Sequence, residues 1–189
     1  MKLVLASKSP RRREILSMVT TDFEVRVSGA DENSDGIFDP YKIPEHLAKI
    51  KGEATPIGSG ELLISADTVV IHKDKVLGKP KDKEEAKKML RALSGSVHHV
   101  VSGIYLKTKE KSYAFSEVTE VKMRPLSDSE IETYVNRLCP TDKAGAYGIQ
   151  EMAGAFVEGI NGDFYNVVGL PLCHLAQAIK NEFNIELIK

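Results

Sequence analysis

The chain has 189 residues, 42% hydrophobic and 28% charged, which is ordinary globular composition and length enough to bury a substantial core. Its 26 basic residues stand against 27 acidic ones, so positive charge is local and a general nucleic-acid binder with a broad basic face is disfavoured. No apolar stretch approaches the length of a bilayer span and the amino end shows no export pattern; the expectation is one domain over residues 1–189, cytoplasmic, without membrane partners.

In chain order, Leu3, Val4 and Leu5 read as a short buried strand leading to a helix that starts near Ser9. Ser9 serves as N-cap, Pro10 fits the first helical position, and Ile15, Leu16 and Val19 face the core. Phe23, Val25 and Val27 alternate as a strand, and residues 29–36 form a polar loop with Asp31, Glu32 and Asp35. A helix carrying Lys49 and Lys51 is expected from Pro44 to about Ala54. Leu62 to Ile71 reads as a central strand, apolar except around Asp67. A hairpin turn at His72 to Lys75 leads to the Gly78-Lys79-Pro80 loop, and a helix runs from Asp82 to Leu93 with Gly95 at its end.

Two strands, Val97 to Leu106 and Tyr113 to Met123, form an antiparallel pair around a turn at Lys107 to Lys111. Ser127 and Glu130 have capping-box spacing at the start of a helix reaching Leu138. Gly145 to Ile149 and Ala155 to Val157 are short strand candidates, Leu170 to Phe183 a helix, and Ile185 to Ile188 a final strand. Early alternation of strands and helices with an antiparallel middle predicts an α/β fold, a mixed twisted sheet flanked by helices. Cys139 and Cys173 lack metal-ligand spacing and are expected as buried free thiols.

Arg11, Arg12 and Arg13 occupy the first turn of the opening helix, where the helix dipole disfavours cations and Arg12 takes the position of a capping-box acid. The inversion points to an anion, a polyphosphate, at the helix N-terminus; a solvated basic face, or pairing with acidic residues elsewhere, is the alternative. Asp67, inside an apolar strand, needs a partner. A carboxylate pair with Glu32 holding Mg²⁺ or Mn²⁺ is favoured over a structural salt bridge or an N–H acceptor at a strand end. Lys79 sits on a Gly-Pro constrained loop, either at a ligand or at the surface. Gln150 ends a glycine-rich run that matches neither GxGxxG nor GxxxxGK[ST]; its amide could read a base edge or cap a backbone group. His98 and His99 are adjacent in a strand and cannot both ligate one metal, so at most one is functional and a structural role, or one supporting a neighbouring site group, is favoured. Tyr147 and Tyr165 are read as core or rim residues.

LASKSPRRREIL, DEN around Glu32, LAKIKGEA, SADTVV, GKP, ALSGSVHHVVSGI, DKAGAYGIQ and NVVGLPL resemble, in order and spacing, the Maf family, also called septum-formation-inhibitor-like proteins. The resemblance covers nearly the whole chain. It implies a nucleoside triphosphate pyrophosphatase that cleaves between the α and β phosphates, with a fold like that of inosine triphosphate pyrophosphatases, and a homodimer. The Ser-Pro-Arg-Arg, Asp-Thr and Ile-Gln forms of the motifs are similar to the dTTP/UTP branch. By that resemblance Asp67 is the catalytic acid-base residue, and Glu32, Lys51 and Lys79 are further polar active-site groups. Ser7, Ser9 and Arg11 belong to the phosphate loop, and Arg12, Thr68 and Gln150 set base choice. Two departures, Ser102 in place of a common Thr and Cys139-Pro140-Thr141 before the DKAGAYGIQ block, are expected to touch no catalytic group.

The expected chemistry is attack of water on the α-phosphorus, with Glu32 and Asp67 holding the divalent cation, Asp67 activating the water, and Arg11, Arg12, Lys51 and Lys79 neutralising the phosphates. The competing class is a nucleotide-binding regulator of septum formation with negligible turnover. A phosphatase releasing orthophosphate is the third.

Overall fold

Strand β1 (Lys2–Ala6) is apolar because it has a parallel neighbour on each side, β2 (Phe23–Val25) and β3 (Glu61–His72). The computed structural model describes every residue except 28, 31, 32, 35 and 189. From β1 the chain passes through α1 (Pro10–Ser17) to β2, then through a 3₁₀ turn (Pro40–Lys42) and α2 (Ile43–Glu53) to β3 on the far side of β1. The two excursions step across the sheet in opposite directions, so right-handed crossovers assign α1 and α2 to opposite faces. The register ends at Ala6 opposite Ser65, and β3 continues past the carboxyl end of its neighbour.

The remaining strands are β4 (Lys75–Leu77), β5 (Val97–Lys107), β6 (Ser112–Met123) and β7 (Val157–Asn161). The seven-stranded sheet has the order β2-β1-β3-β5-β6-β7, with β4 paired to β3. It is mixed: β4 and β7 are antiparallel to their partners, and the short turn at Thr108 to Lys111 returns the chain antiparallel between β5 and β6. The other helices are α3 (Lys83–Leu93), α4 (Asp128–Leu138), α5 (Phe164–Val168) and α6 (Leu172–Phe183). The chain divides into two compact units interleaved in sequence, residues 1–68, 102–117 and 169–189 in one, and 69–101 and 118–168 in the other.

In the first unit, Ile15 and Leu16 of α1 and Leu175 and Ile179 of α6 are fully buried. Helix α2 lies so close to β5 that a Cβ on Gly103 would stand 2.1 Å from the Glu45 nitrogen, and one on Gly52 would stand 2.4 Å from the Tyr105 ring. Small residues are what allow this approach. Ser65 Oγ donates to the Ala48 carbonyl at 2.7 Å, tying β3 to the same helix.

In the second unit, α3 and α4 cover a core that includes Leu90, Leu93, Val121, Ile131, Tyr134 and Phe156. Both helices have the expected caps: Asp82 accepts from the Glu85 N–H at 2.8 Å, and Ser127 and Glu130 form the complete capping box. The β3–β4 hairpin turns through Lys73 and Asp74, both with positive φ (50° and 60°), the twist a two-residue hairpin requires.

Several expectations are corrected. Val27 lies outside β2, and Gly145 to Ile149 is no strand: Gly145 and Ala146 have φ of 66° and 61°, and Ala144–Ala146 closes a 3₁₀ turn. The later strand starts only at Val157, after a second 3₁₀ segment at Met152–Phe156. Ile185 to Ile188 is unpaired chain, where Leu187 is buried without a strand partner. Helix α5 was not foreseen; Asp163 caps it, its Oδ1 accepting from Tyr165 N–H at 2.7 Å. Cys139 and Cys173 are free but exposed, Cys139 in a left-handed helix cap with φ of 47° and Cys173 in the first turn of α6.

Candidate active site

The Ser7 to Ser9 loop leaves β1 at its carboxyl end and opens α1, a geometry that collects ligands in open parallel sheets. Ser7 Oγ accepts from the Ser9 N–H at 3.2 Å, and Ser9 Oγ accepts from the Arg12 N–H at 3.5 Å, the cap expected from the Ser-Pro pair. No acid balances the arginines within the first turn.

The Arg12 guanidinium turns back onto the protein. Its Nε donates to the Gly169 carbonyl at 2.9 Å, Nη1 to the Ala66 carbonyl at 2.8 Å and to Ser7 Oγ at 3.4 Å, and Nη2 to Thr68 Oγ1 at 3.0 Å. These acceptors are carbonyl and hydroxyl oxygens, and the bonds fix the plane of the guanidinium. Thr68 Oγ1 also lies 2.8 Å from Ser102 Oγ and 3.4 Å from the Gly169 carbonyl. The departure at Ser102 therefore touches none of the expected catalytic groups but does touch Thr68, a residue assigned to base choice.

Asp67 projects to the other face of β3, as strand alternation requires. Lys51 reaches it from α2, Nζ to Oδ1 at 2.5 Å, with the side chains only 13% and 14% exposed. Ser65 and Asp67 thus both meet α2, while Ala66 and Thr68 meet Arg12. Two clusters converge on residues 66–68 of β3, beyond the end of β1.

Ser7, Ser9, Arg12 and Thr68 are brought together on one face of β3 and Lys51 and Asp67 on the other, and Arg11 is half-buried in the same first turn of α1. Glu32 lies outside the described residues. Lys79 and Gln150 belong to the second unit and are described there: Lys79 is exposed on the loop after β4, and Gln150 is exposed in a turn closed by the Glu151 N–H donating to the Gly148 carbonyl at 3.0 Å. That turn is braced by Lys143, whose Nζ pairs with Asp142 at 2.9 Å and Glu151 at 3.2 Å, and by Tyr134, whose hydroxyl accepts from the Gly148 N–H. Just before it, the buried Tyr147 hydroxyl meets His98 Nε2 at 2.8 Å, which gives His98 the structural role expected of it. The acceptor carbonyls of Ala66 and Gly169, and Ser102, were missed by sequence reasoning; only the glycine in NVVGLPL hinted at one of them.

Residues 2–182 match the family described as Maf-like protein. A protein of Alkaliphilus metalliredigens named dTTP/UTP pyrophosphatase is 46% identical, over 99% of each chain. A Parabacteroides distasonis protein of the same name is 49% identical over 95% of each, and one from Thermosipho africanus 46% identical over 91% of this chain and 88% of that one. Among solved structures, the Staphylococcus aureus Ham1 protein is similar at TM-score 0.48 and 14% identity, over 65% of this chain and 72% of that one. With its motifs in order from the opening strand to the start of α6, and relatives of nearly half its residues over nearly its whole length, the chain belongs to the Maf family.

Proposed function

We propose that this chain hydrolyses dTTP and UTP between the α and β phosphates, releasing the nucleoside monophosphate and pyrophosphate. The observation that carries this reading is the meeting of Arg12, Thr68 and the Lys51–Asp67 pair on one short stretch of β3, in a chain so similar to proteins named dTTP/UTP pyrophosphatase.

In this mechanism Asp67 is the base. Lys51 pins Oδ1, so Oδ2 is the oxygen that orients water and takes its proton as the water attacks the α-phosphorus. Attack and departure are in line, and pyrophosphate leaves with the electron pair of the broken anhydride bond. Ser7, Ser9 and the N–H groups of the first α1 turn receive phosphate oxygens, with Arg11 and Lys51 countering their charge. Arg12 and Thr68 face the base as a fixed donor set, because a guanidinium held by four acceptors suits a planar partner better than a mobile phosphate.

A hard divalent cation commonly uses one or two carboxylates together with substrate phosphates. Asp67 supplies one such oxygen, and no group of three or more His, Cys, Asp or Glu suited to a metal occurs among the described residues. Mg²⁺ or Mn²⁺ would be held by the Asp67 carboxylate and the substrate phosphates, with Glu32, which lies outside the described residues, proposed as the second carboxylate. Such an ion, when bound, would withdraw charge from the phosphoryl oxygens.

The test is a panel of nucleoside triphosphates, with and without Mg²⁺ or Mn²⁺, with separation of pyrophosphate from orthophosphate. Pyrophosphate and monophosphate from dTTP and UTP are expected. Orthophosphate release would mark a phosphatase, and tight binding without turnover a nucleotide-binding regulator; either overturns the reading.

A further inference from the structure

Thr68 Oγ1 has three polar neighbours within 3.4 Å: Arg12 Nη2, Ser102 Oγ and the Gly169 carbonyl. A hydroxyl has one proton and two acceptor sites. Arg12 can only donate and a carbonyl can only accept, so the direction of the Thr68 proton is decided by Ser102. If Ser102 donates, the Thr68 proton goes to Gly169; if Ser102 accepts, it goes to Ser102.

Ser102 is well placed to hold that choice. It is fully buried on β5, and the next residue, Gly103, is wedged against the backbone at the start of α2. The Gly169 carbonyl is equally fixed, at a φ of 127° that glycine adopts without strain, and it also receives Arg12 Nε. Thr68, Arg12 and Gly169 form a closed set of contacts, and Ser102 supports it through Thr68.

We propose that Ser102 is a positioning residue for nucleobase selection: through the Thr68 hydroxyl it sets the plane of the Arg12 guanidinium, and so the ranking of nucleoside triphosphates. The inference rests on the reading that Arg12 and Thr68 face the base. Ser102 itself touches no substrate.

The experiment compares wild type with Ser102→Ala, Ser102→Cys and Ser102→Thr. Cys conserves volume but bonds weakly, and Thr keeps the hydroxyl. Each protein is assayed for kcat and KM with dTTP, UTP, dCTP and GTP. Each is also tested for the rise in melting temperature produced by the α,β-imido analogues of the same nucleotides, a readout that needs no turnover. The Ala and Cys variants are expected to lose about five- to tenfold in the preference for dTTP over GTP, the worth of one hydrogen bond, mainly through KM. The Thr variant should keep the wild-type ranking.

A wild-type ranking in folded Ala or Cys variants would overturn the proposal, as would equal weakening of every nucleotide or the same loss in the Thr variant. Should Ser102→Ala fail to fold, Ser102→Cys decides the matter by the same criterion. Wild type that ranks the analogues but releases no pyrophosphate would defeat the enzyme reading alone; the binding ranks of the variants would still judge Ser102.

Discussion

Replacing Gly103 by alanine places a methyl group where the backbone of α2 already stands. The new Cβ would be 2.1 Å from the Glu45 nitrogen, 2.2 Å from the Pro44 carbonyl carbon and 2.3 Å from Glu45 Cα. These are backbone atoms, so no side chain can swing aside. Reaching an ordinary contact of 3.4 Å requires the helix start to move by 3.4 − 2.1, about 1.3 Å. Overpacking of this kind costs about 3 kcal/mol or more, against a gain of roughly 0.4–1 kcal/mol from the stiffer unfolded chain. The net expectation is a loss of at least about 2 kcal/mol.

Helix α2 also carries Lys51 to Asp67, and a displacement near 1 Å at a reacting group can cost roughly 100-fold in rate. Denaturant titration should therefore show a lower midpoint with unchanged slope, and pyrophosphate release by the folded variant should fall by about that factor. Gly159→Ala is the control. A Cβ there meets nothing within 4 Å, and the same substitution should be neutral or slightly stabilising. Gly103→Ala with wild-type stability would refute the packing argument, and wild-type stability in both variants would remove any special status from Gly103.

Asp67→Asn should reduce kcat by about 10²- to 10⁴-fold while leaving nucleotide affinity within a few-fold; a full rate would dismiss Asp67 as the base. Arg12→Lys keeps the charge but cannot reach Gly169, Ala66 and Thr68 together, so the ranking of triphosphates in competition assays should flatten, and an unaltered ranking would argue against a base-facing guanidinium. Burial, with smaller contributions from His72 and His99, pulls His98 down to about 4 from its ordinary 6.5. Between those values the unfolded chain takes up a proton that the folded chain refuses, so stability should fall as pH drops through the window, by on the order of 2–3 kcal/mol. His72, also lowered by burial, adds in the same direction, and the carboxylates of Glu61 and Glu130, held near 2, contribute only at more acidic pH. Urea melts from pH 7.5 to 4.5 check this; His98→Gln should shallow the slope, and an identical slope would reject the assignment.

The parts of the fold visible in the sequence are those encoded locally. Ser9-Pro10, Asp82 and Ser127 with Glu130 announce α1, α3 and α4 because a cap is a contact over three residues. Residues 145–149 look like a strand because apolar and small residues alternate there, but the positive φ of Gly145 and Ala146 has no periodic signature. Helix α5 depends on Asn166, buried and donating to the Val100 carbonyl and Thr119 Oγ1 at 3.0 Å, partners far along the chain. The candidate site divides in the same way. Asp67 was conspicuous as an acid in an apolar strand, and Arg12 as a cation where an acid belongs. What holds Arg12 was hidden, since two of its acceptors are backbone carbonyls and every residue type has one of those.

The Gly169 carbonyl that closes the contacts of Arg12 lies 157 residues downstream of it. At roughly 5–20 residues per second, a translating ribosome takes about 8–30 s to bridge that separation. Throughout that interval the triple-arginine turn is made but the Gly169 carbonyl that receives Arg12 Nε is not. The Gly169 contact of Arg12 accordingly forms only after the last strand of the sheet, β7, has been made.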